Sequence, residues 1–260
     1  MDTTLRDGEQ TTGVSFNDVE KLTVAKVLLE DVKVDRIEIA SARVSAGEFK
    51  GARKVLQWAS KKGYLDKVEI LGFVDGKVSL QWIADAGGKV VNLLCKGSLK
   101  HITEQLRKTP EQHIDDIKKV IEYADKMGIR VNVYLEDWSN GMRNSKDYVH
   151  FMISSLKNEK ISRIMLPDTL GILNPDETYD FCKEMIETYP DVKFDYHPHN
   201  DYDLAIANVY HAIKAGMRCV HTTVNGLGER AGNAPLSSVI ATIKDHLKMT
   251  TQVNESNLNK

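Results

Sequence analysis

The segment HPHND at residues 197–201 places two histidines one residue apart, at the end of a run rich in β-branched and aromatic residues. On a β-strand, side chains at positions i and i+2 point to the same face, so His197 and His199 would project side by side. Two imidazoles in this arrangement can bind one metal ion, but they can also be two polar residues on a half-buried strand. The pair alone leaves both alternatives open.

A carboxylate and a guanidinium near the start of the chain could join such a site. Asp7 would add an oxygen ligand to two imidazole nitrogens, a mixed set that suits Mg²⁺, Mn²⁺, Fe²⁺ or Zn²⁺. The alternative is an aspartate–histidine hydrogen bond that caps a strand. Arg6 could stabilise an oxyanion or form an ion pair with Glu38. Farther along, Glu136 could be a general base or a solvated carboxylate at a strand end.

Short β-rich runs alternate with longer helical patterns and would position these residues. Asn17 is a possible helix N-cap, and Thr-Pro and Asn-Pro pairs begin two further helical patterns at residues 109 and 174. The eight candidate strands span residues 2–7, 35–41, 67–74, 89–95, 129–137, 161–168, 192–200 and 218–226. Repeated βα units predict an α/β fold with a parallel sheet, and eight units predict a closed (β/α)8 TIM barrel. A doubly wound open sheet is the alternative, but its nucleotide-binding motifs GxGxxG and Walker A are absent from the sequence.

The barrel prediction implies where the chemistry lies, because barrel enzymes carry their active sites at the C-terminal ends of the strands. Polar and ionisable residues collect at that end of most predicted strands. In a closed barrel the first strand neighbours the last ones, so Asp7 would meet His197 and His199 across the mouth. The glycine-rich segment at residues 225–233, NGLGERAGN, follows the last strand and could receive a phosphate or a ligand backbone. Ser, Cys and His do not form a triad-like set, so nucleophilic hydrolysis has little support.

The composition limits the class of protein. Of 260 residues, 42% are hydrophobic and 28% are charged, as in an ordinary globular protein, and the net charge of −2 argues against a nucleic-acid or membrane-surface partner. No apolar run approaches the ~20 residues of a membrane span, and no signal peptide is visible. Three cysteines without a CxxC motif make a disulfide framework or a zinc–thiolate site improbable, and we expect a cytoplasmic location.

Four segments, in this order, resemble the metal-dependent barrel family of 2-isopropylmalate, homocitrate and citramalate synthases. They are DTTLRDGEQTTGVSF at residues 2–16, LPDTLG at 166–171, HPHND at 197–201 and NGLGERAGNAPL at 225–236. The family also includes hydroxymethylglutaryl-CoA lyase, but the glycine-rich loop of the lyases carries a catalytic cysteine that GLGERAGN lacks. Pro198 stands where relatives commonly have Gly or Cys; it fixes φ without preventing the two histidine side chains from converging.

The resemblance implies the ligands and the reaction. A divalent cation, Mg²⁺, Mn²⁺ or Zn²⁺, would bind Asp7, His197, His199 and Asn233. Acetyl-CoA would condense with a small 2-oxo acid in a Claisen-type reaction of branched-chain amino-acid biosynthesis. Arg6 would stabilise the alkoxide and Thr169 would bind the keto-acid carboxylate. Glu136 would be the base or would position one, with His101 as a second candidate base.

Within the family, three segments look most like the citramalate synthases, which use pyruvate: residues 37–45, 69–76 and 133–145. Tyr134, Leu71 and Leu94 would then close the pocket around the methyl group of pyruvate, although both leucines could also be ordinary core residues. The alternatives are 2-isopropylmalate synthesis from 2-oxoisovalerate, homocitrate synthesis, and a barrel that binds a keto acid without catalysing condensation.

The expected organisation is a catalytic barrel over residues 1–249 and a polar tail, or the start of a linker, over residues 250–260. Members of the family carry a further linker segment, which supplies a catalytic histidine, and a regulatory domain; we identify neither in this sequence. The resemblance also implies a homodimer.

Overall fold

The computed structural model describes residues 1–258, and its central element is a seven-stranded parallel sheet whose strands follow the order of the chain. The strands are β1 Ile37–Ser41, β2 Val68–Phe73, β3 Val90–Lys96, β4 Arg130–Glu136, β5 Ile161–Asp168, β6 Phe194–Pro198 and β7 Cys219–Val220. Seven of the eight predicted strands are therefore confirmed. The last is much shorter than predicted: its regular pairing with β6 ends at Val220, residues 222 and 223 form only isolated bridges, and residues 224–226 form a 3₁₀ turn.

The sheet closes through the first residues of the chain. Asp2 forms parallel bridges to Ile37 of β1 and to Thr222 just beyond β7. The backbone N–H of Thr3 also donates to the Thr222 carbonyl, at 2.8 Å. The predicted strand at residues 2–7 is wrong beyond this point. The amides of residues 6, 7 and 8 all donate to the Thr3 carbonyl, so the chain turns instead of extending.

Nine α-helices surround the sheet in the described part of the chain. They are α1 Asp18–Lys26, α2 Ala46–Lys62, α3 Val78–Ala86, α4 Pro110–Lys126, α5 Trp138–Asn144, α6 Lys146–Leu156, α7 Pro175–Thr188, α8 Ala205–Lys214 and α9 Leu236–Ala241. The predicted starts of α1, α4 and α7 are confirmed. Asn17, Thr109 and Asn174 each form a capping box, in which the cap side chain accepts from a backbone N–H and a Glu or Gln returns the bond.

Alternation along the strands separates an apolar layer from a polar barrel interior. Ile37, Val91 and Val133 are fully buried in the main apolar core between sheet and helices. Next to them in sequence, Glu38, Asn92 and Asn132 form a buried hydrogen-bonded row. The Asn132 amide donates to Asn92 Oδ1 at 2.8 Å, and the Asn92 amide donates to Glu38 Oε1 at 2.7 Å. Polar side chains thus enter the barrel interior beneath its mouth.

The predicted polar tail lies partly against the barrel. Val253 and Leu258 pack on the main core, and the Asn254 amide donates to the Val32 carbonyl at 2.8 Å. The last two residues of that predicted tail, 259 and 260, lie outside the described residues. Among residues 1–258, no helix has both the length and the apolar character needed to cross a membrane.

Candidate active site at the barrel mouth

A carboxylate and two imidazoles meet at the C-terminal end of the sheet. His197 lies near the end of β6, His199 follows that strand directly, and Asp7 lies in the turn that follows the Asp2 bridge. Asp7 Oδ2 is 3.1 Å from His197 Nε2 and 3.9 Å from His199 Nε2, and the two Nε2 atoms are 3.3 Å apart. All three side chains are buried. The arrangement can present three ligand atoms to one cation.

The glycine-rich loop brings an amide to the same place. Asn233 forms an antiparallel bridge with His199, and its side-chain N–H donates to the Leu227 carbonyl at 3.1 Å. A Cβ atom on Gly228 would lie 2.0 Å from the Asn233 side-chain nitrogen, so only glycine leaves room for this amide. Asn233 Oδ1 is buried and has no hydrogen-bond partner among the described residues.

The charge states suit a metal site. Burial would raise the pKa of Asp7, but Arg6 and the two histidines outweigh it and hold that pKa far below its usual range. Burial lowers the pKa of His199 to about 3, against a smaller opposing effect of Asp7. At neutral pH the site therefore offers an ionised carboxylate and a neutral imidazole, the forms in which these groups bind metal.

The donor set fits a divalent cation. Asp7 Oδ1 and Asn233 Oδ1 are both buried without a hydrogen-bond partner among residues 1–258, an arrangement that is costly unless another group satisfies them. A cation with mixed oxygen and nitrogen ligands would do so, as Mg²⁺, Mn²⁺ or Zn²⁺ can. The residues that could hold it are Asp7, His197, His199 and Asn233.

Arg6 lies between this group and the polar interior. Its Nη1 is 3.1 Å from Asp7 Oδ2, and its Nε donates to Glu38 Oε2 at 2.5 Å. Glu38 in turn accepts from Asn92. The ion pair with Glu38, one of the two roles open from the sequence, is therefore present. Because its anchor is itself buried and hydrogen-bonded, the guanidinium is held rigidly beside the candidate ligands.

A pocket of about 140 Å³ opens above these groups. Eight of the residues singled out in the sequence line it: Arg6, Leu71, Leu94, Tyr134, Glu136, Thr169, His197 and His199. Sequence reasoning missed three other lining residues, Gln10, Pro167 and Glu229. Each of the three lies inside one of the four family-like segments, so those segments carried the signal that could have identified them.

One wall of the pocket is apolar. Tyr134 and Leu71 belong to a small buried cluster apart from the main core, with Leu94 packed against it, and these three side chains line the pocket. The Tyr134 hydroxyl lies 3.1 Å from Nδ1 of His221, and the Arg6 guanidinium lies 5.9 Å from the centre of the Tyr134 ring. The ring therefore has neighbours that fix it at both its edge and its face.

The two candidate bases have different surroundings. Glu136 lines the pocket and forms an ion pair with Lys96, its register partner on β3, which sequence reasoning did not single out. His101 is not among the lining residues of that pocket. Its Nε2 lies 3.4 Å from Asp137 Oδ2, which also accepts a hydrogen bond from the Ser98 hydroxyl at 2.7 Å. The structure thus brings Glu136, but not His101, to the pocket wall.

Thr169 follows β5, and its side chain contacts the backbone of Asp137, the aspartate that lies near His101. The Asp137 N–H donates to the Thr169 hydroxyl oxygen at 2.8 Å. Arg230, in the glycine-rich loop, donates to the Thr169 carbonyl at 2.7 Å and pairs with Asp201 at 2.7 Å. The threonine side chain is therefore positioned on the pocket wall by two loops that follow different strands.

The whole chain matches a known family model, and its curated relatives are synthases. A family model described as HMGL-like matches residues 1–260. The 2-isopropylmalate synthase of Sulfurisphaera tokodaii is 35% identical over 245 residues, which are 94% of this chain and 61% of that protein. The putative (R)-citramalate synthase of Methanothermobacter thermautotrophicus is 35% identical over 255 residues, 98% of this chain and 49% of that protein. The chain thus spans about half to three-fifths of the length of these relatives.

A solved structure supports the fold. The HMG-CoA lyase of Bacillus subtilis has a TM-score of 0.82 and 20% sequence identity, covering 99% of this chain and 88% of that chain. At this identity the likeness concerns the fold alone, and it confirms the predicted α/β TIM barrel.

Proposed function

The chain belongs to the HMGL-like family over residues 1–260, and we propose that it condenses acetyl-CoA with a small 2-oxo acid, pyruvate, to give citramalate and CoA. The observation that carries the proposal is the buried group of Asp7, His197 and His199, with the Arg6 guanidinium beside it, at the floor of a small pocket. Curated relatives are named as synthases.

The bond changes define what the site must do. A proton leaves the methyl group of acetyl-CoA, and that carbon forms a bond to C2 of the keto acid. The keto oxygen gains negative charge and then a proton, and water hydrolyses the thioester to release the CoA thiol. A divalent cation held by Asp7, His197, His199 and Asn233 would act as a Lewis acid on the keto acid.

Arg6 supplies the positive charge where the negative charge develops. Its Nε is fixed by Glu38 and its Nη1 faces Asp7, so the guanidinium is already oriented before the reaction. A preorganised donor of this kind, in a site with little water, stabilises an oxyanion more than water does. Thr169, on the pocket wall, would donate its hydroxyl proton to the keto-acid carboxylate.

Glu136 is the proposed base. It lines the pocket, and its Oε2 is engaged by Lys96, so Oε1 is the oxygen that could accept the methyl proton. His101 fits this role less well, because its imidazole faces Asp137 and does not line the pocket.

The choice of keto acid rests on the apolar wall. The Tyr134 ring, with Leu71 and Leu94, takes up volume that a branched side chain would need. Pyruvate adds only a methyl group, whereas 2-oxoisovalerate adds an isopropyl group. Overall identity does not favour either substrate, since the 2-isopropylmalate and citramalate relatives are both 35% identical. That equality keeps 2-isopropylmalate synthesis as the second candidate function.

A thiol-release assay tests the proposal. The protein is incubated with acetyl-CoA, Mg²⁺, Mn²⁺ or Zn²⁺, and in turn pyruvate, 2-oxoisovalerate or 2-oxoglutarate. We expect release of CoA thiol that depends on pyruvate and stops with EDTA. Preference for 2-oxoisovalerate would favour 2-isopropylmalate synthesis, and preference for 2-oxoglutarate would favour homocitrate synthesis. No thiol release with any of the three keto acids would indicate a barrel that binds a keto acid without catalysing condensation. The homodimer and the cytoplasmic location stay predictions.

A further inference from the structure

A second buried row of polar side chains, His221 and Asp195, leads from the candidate metal ligand His197 into the barrel interior. His221, just beyond β7, is 1% exposed, and its Nδ1 lies 3.2 Å from Nδ1 of His197. The same Nδ1 lies 3.1 Å from the Tyr134 hydroxyl, and the opposite nitrogen, Nε2, lies 3.2 Å from Asp195 Oδ2. One imidazole therefore touches a candidate ligand, a pocket wall residue and a buried carboxylate.

A second metal site is the first alternative to consider. Asp195, Cys219 and His221 place possible ligand atoms within 4.8 Å of one another. However, Arg36 Nη2 lies 2.5 Å from Asp195 Oδ2 and 3.0 Å from the Cys219 sulfur. A cation would meet a guanidinium already bonded to two of its three ligands. Asp195 and Cys219 are therefore part of a cluster built around Arg36, and not ligands of a second metal ion.

The arginines determine how the protons are arranged along the row. Asp195 Oδ2 contacts Arg36, and its Oδ1 accepts from Arg163 Nη1 at 2.9 Å. A carboxylate held by two guanidinium groups acts as an acceptor, so His221 Nε2 must carry the proton that it donates. His221 Nδ1 then carries a single lone pair, which the Tyr134 hydroxyl and the N–H of His197 Nδ1 share as donors in a three-centre hydrogen bond.

These hydrogen bonds determine which ring nitrogen of His197 carries the proton. If Nδ1 of His197 carries a proton directed at His221, its Nε2 is the nitrogen with a free lone pair, and that nitrogen is the one facing Asp7 and His199. Hydrogen bonds of this kind orient metal-binding histidines and select their tautomer.

We propose that His221, oriented by Asp195, is a positioning residue that sets the tautomer of His197 for metal binding and holds the ring of Tyr134 against the pocket. The inference rests on the proposed function, since it assigns His221 a role toward the proposed metal and substrate sites. It links the two through one side chain, so a single change at His221 should disturb both metal affinity and keto-acid choice.

Proton positions test the inference without any activity assay. In the wild-type protein with ¹⁵N-labelled histidine, long-range nitrogen–proton NMR spectra distinguish the two tautomers. With Zn²⁺ bound, we expect His221 to carry its proton on Nε2 and His197 to carry its proton on Nδ1. A His221 that carries its proton on Nδ1 would overturn the inference.

Variants give a second, independent measurement, the Kd for Mn²⁺ followed by electron paramagnetic resonance. His221→Leu should raise this Kd about 10–100-fold, the usual effect of losing a partner of a metal-binding histidine. His221→Asn, which keeps an acceptor oxygen near the position of Nδ1, should recover part of the loss. His246→Leu is the matched control, because it makes the same substitution at an exposed histidine, and its Kd should match wild type.

The outcomes separate the two levels of the proposal. If the wild-type protein does not bind Mn²⁺, the proposed metal site is wrong, and the inference is wrong with it. If wild type binds Mn²⁺ and folded His221→Leu binds it within twofold of wild type, the metal site stands and the inference alone is overturned. If His221→Leu does not fold, the tautomers of the wild-type histidines decide.

Discussion

Nε2 of His197 lies 3.1 Å from Oδ2 of Asp7, although one residue comes from β6 and the other from the first turn of the chain. The contact depends on barrel closure at Asp2, which bridges β1 and the segment after β7. The turn at Thr3 then directs Asp7 over the mouth. The candidate ligand group is therefore a property of the closed barrel, and no local segment could form it.

Arg6→Ala should lower kcat about 10²–10³-fold while the Kd for Mn²⁺ stays near the wild-type value. In the proposed mechanism, Arg6 stabilises the charge that develops on the keto oxygen but supplies no ligand atom to the metal. Steady-state kinetics and metal titration on the same preparation check this. Arg43→Ala, which removes an exposed ion pair with Asp75, is the control and should leave both quantities unchanged. Wild-type turnover in Arg6→Ala would refute the oxyanion role.

Glu136→Gln should lower kcat about 10²–10⁴-fold, because the amide keeps the shape of the side chain but cannot accept the methyl proton. Exchange of the acetyl-CoA methyl protons with deuterated solvent, measured in the presence of a keto acid, reports the step directly and should fall with kcat. Glu122→Gln removes a carboxylate from an exposed pair with Lys126 and should have no effect. Undiminished proton exchange in Glu136→Gln would assign the base elsewhere.

Tyr134→Ser should raise the relative kcat/KM for 2-oxoisovalerate over pyruvate, even if total activity falls. Discrimination over one or two carbon atoms is typically about 1–3 kcal/mol, or about 10–200-fold. Tyr134→Phe keeps the ring that fills the pocket and should retain most of the preference for pyruvate. The preference ratios of the three proteins are the measurement. An unchanged ratio in Tyr134→Ser would show that the ring does not select the substrate.

His113 should make the folded protein less stable in mild acid. It is buried, and its Nε2 accepts a hydrogen bond from the Lys96 backbone N–H at 3.1 Å. Burial, assisted by Lys108, lowers its pKa from 6.5 to about 4. The unfolded chain therefore binds the proton more readily, and the stability due to the neutral ring is complete above pH 6.5 and is lost as pH falls toward 4. The slope from this residue is at most about 1.4 kcal/mol per pH unit.

Denaturant unfolding at several pH values between 4 and 7 measures that slope. His113→Gln keeps an acceptor near the position of Nε2 but cannot bind a proton, so it should flatten the pH dependence. His246→Gln, at an exposed position, should leave it as in wild type. A His113→Gln protein with the wild-type slope would contradict the assignment.

Local signals explain which parts of the fold could be predicted. The capping residues Asn17, Thr109 and Asn174 act through bonds to their own helices, so their sequence patterns sufficed. The strand predicted at residues 2–7 failed because three amides converge on the Thr3 carbonyl, an arrangement that the strand-like composition does not reveal. The family resemblance, in contrast, is confirmed along the whole chain.

In the candidate site too, local sequence patterns predicted some residues, whereas others depend on contacts that only the folded chain creates. His197 and His199 are neighbours by strand alternation alone, and barrel closure supplies Asp7. Lys96 was missed because its importance lies in facing Glu136 across two strands, which depends on the register of β3 and β4. His221 carried no motif of its own, since its role comes from contacts with His197, Tyr134 and Asp195 that only the folded barrel creates.

Identification of the product would show whether this protein condenses acetyl-CoA with pyruvate. The protein is incubated with Mn²⁺, pyruvate and acetyl-CoA labelled with ¹³C in its acetyl group, and the product is analysed by mass spectrometry and NMR. We expect citramalate with two adjacent labelled carbons, formed in step with CoA release and abolished by EDTA or by Asp7→Asn. Release of labelled acetate without a new carbon–carbon bond, or formation of labelled citramalate by the Asp7→Asn protein in EDTA, would contradict it.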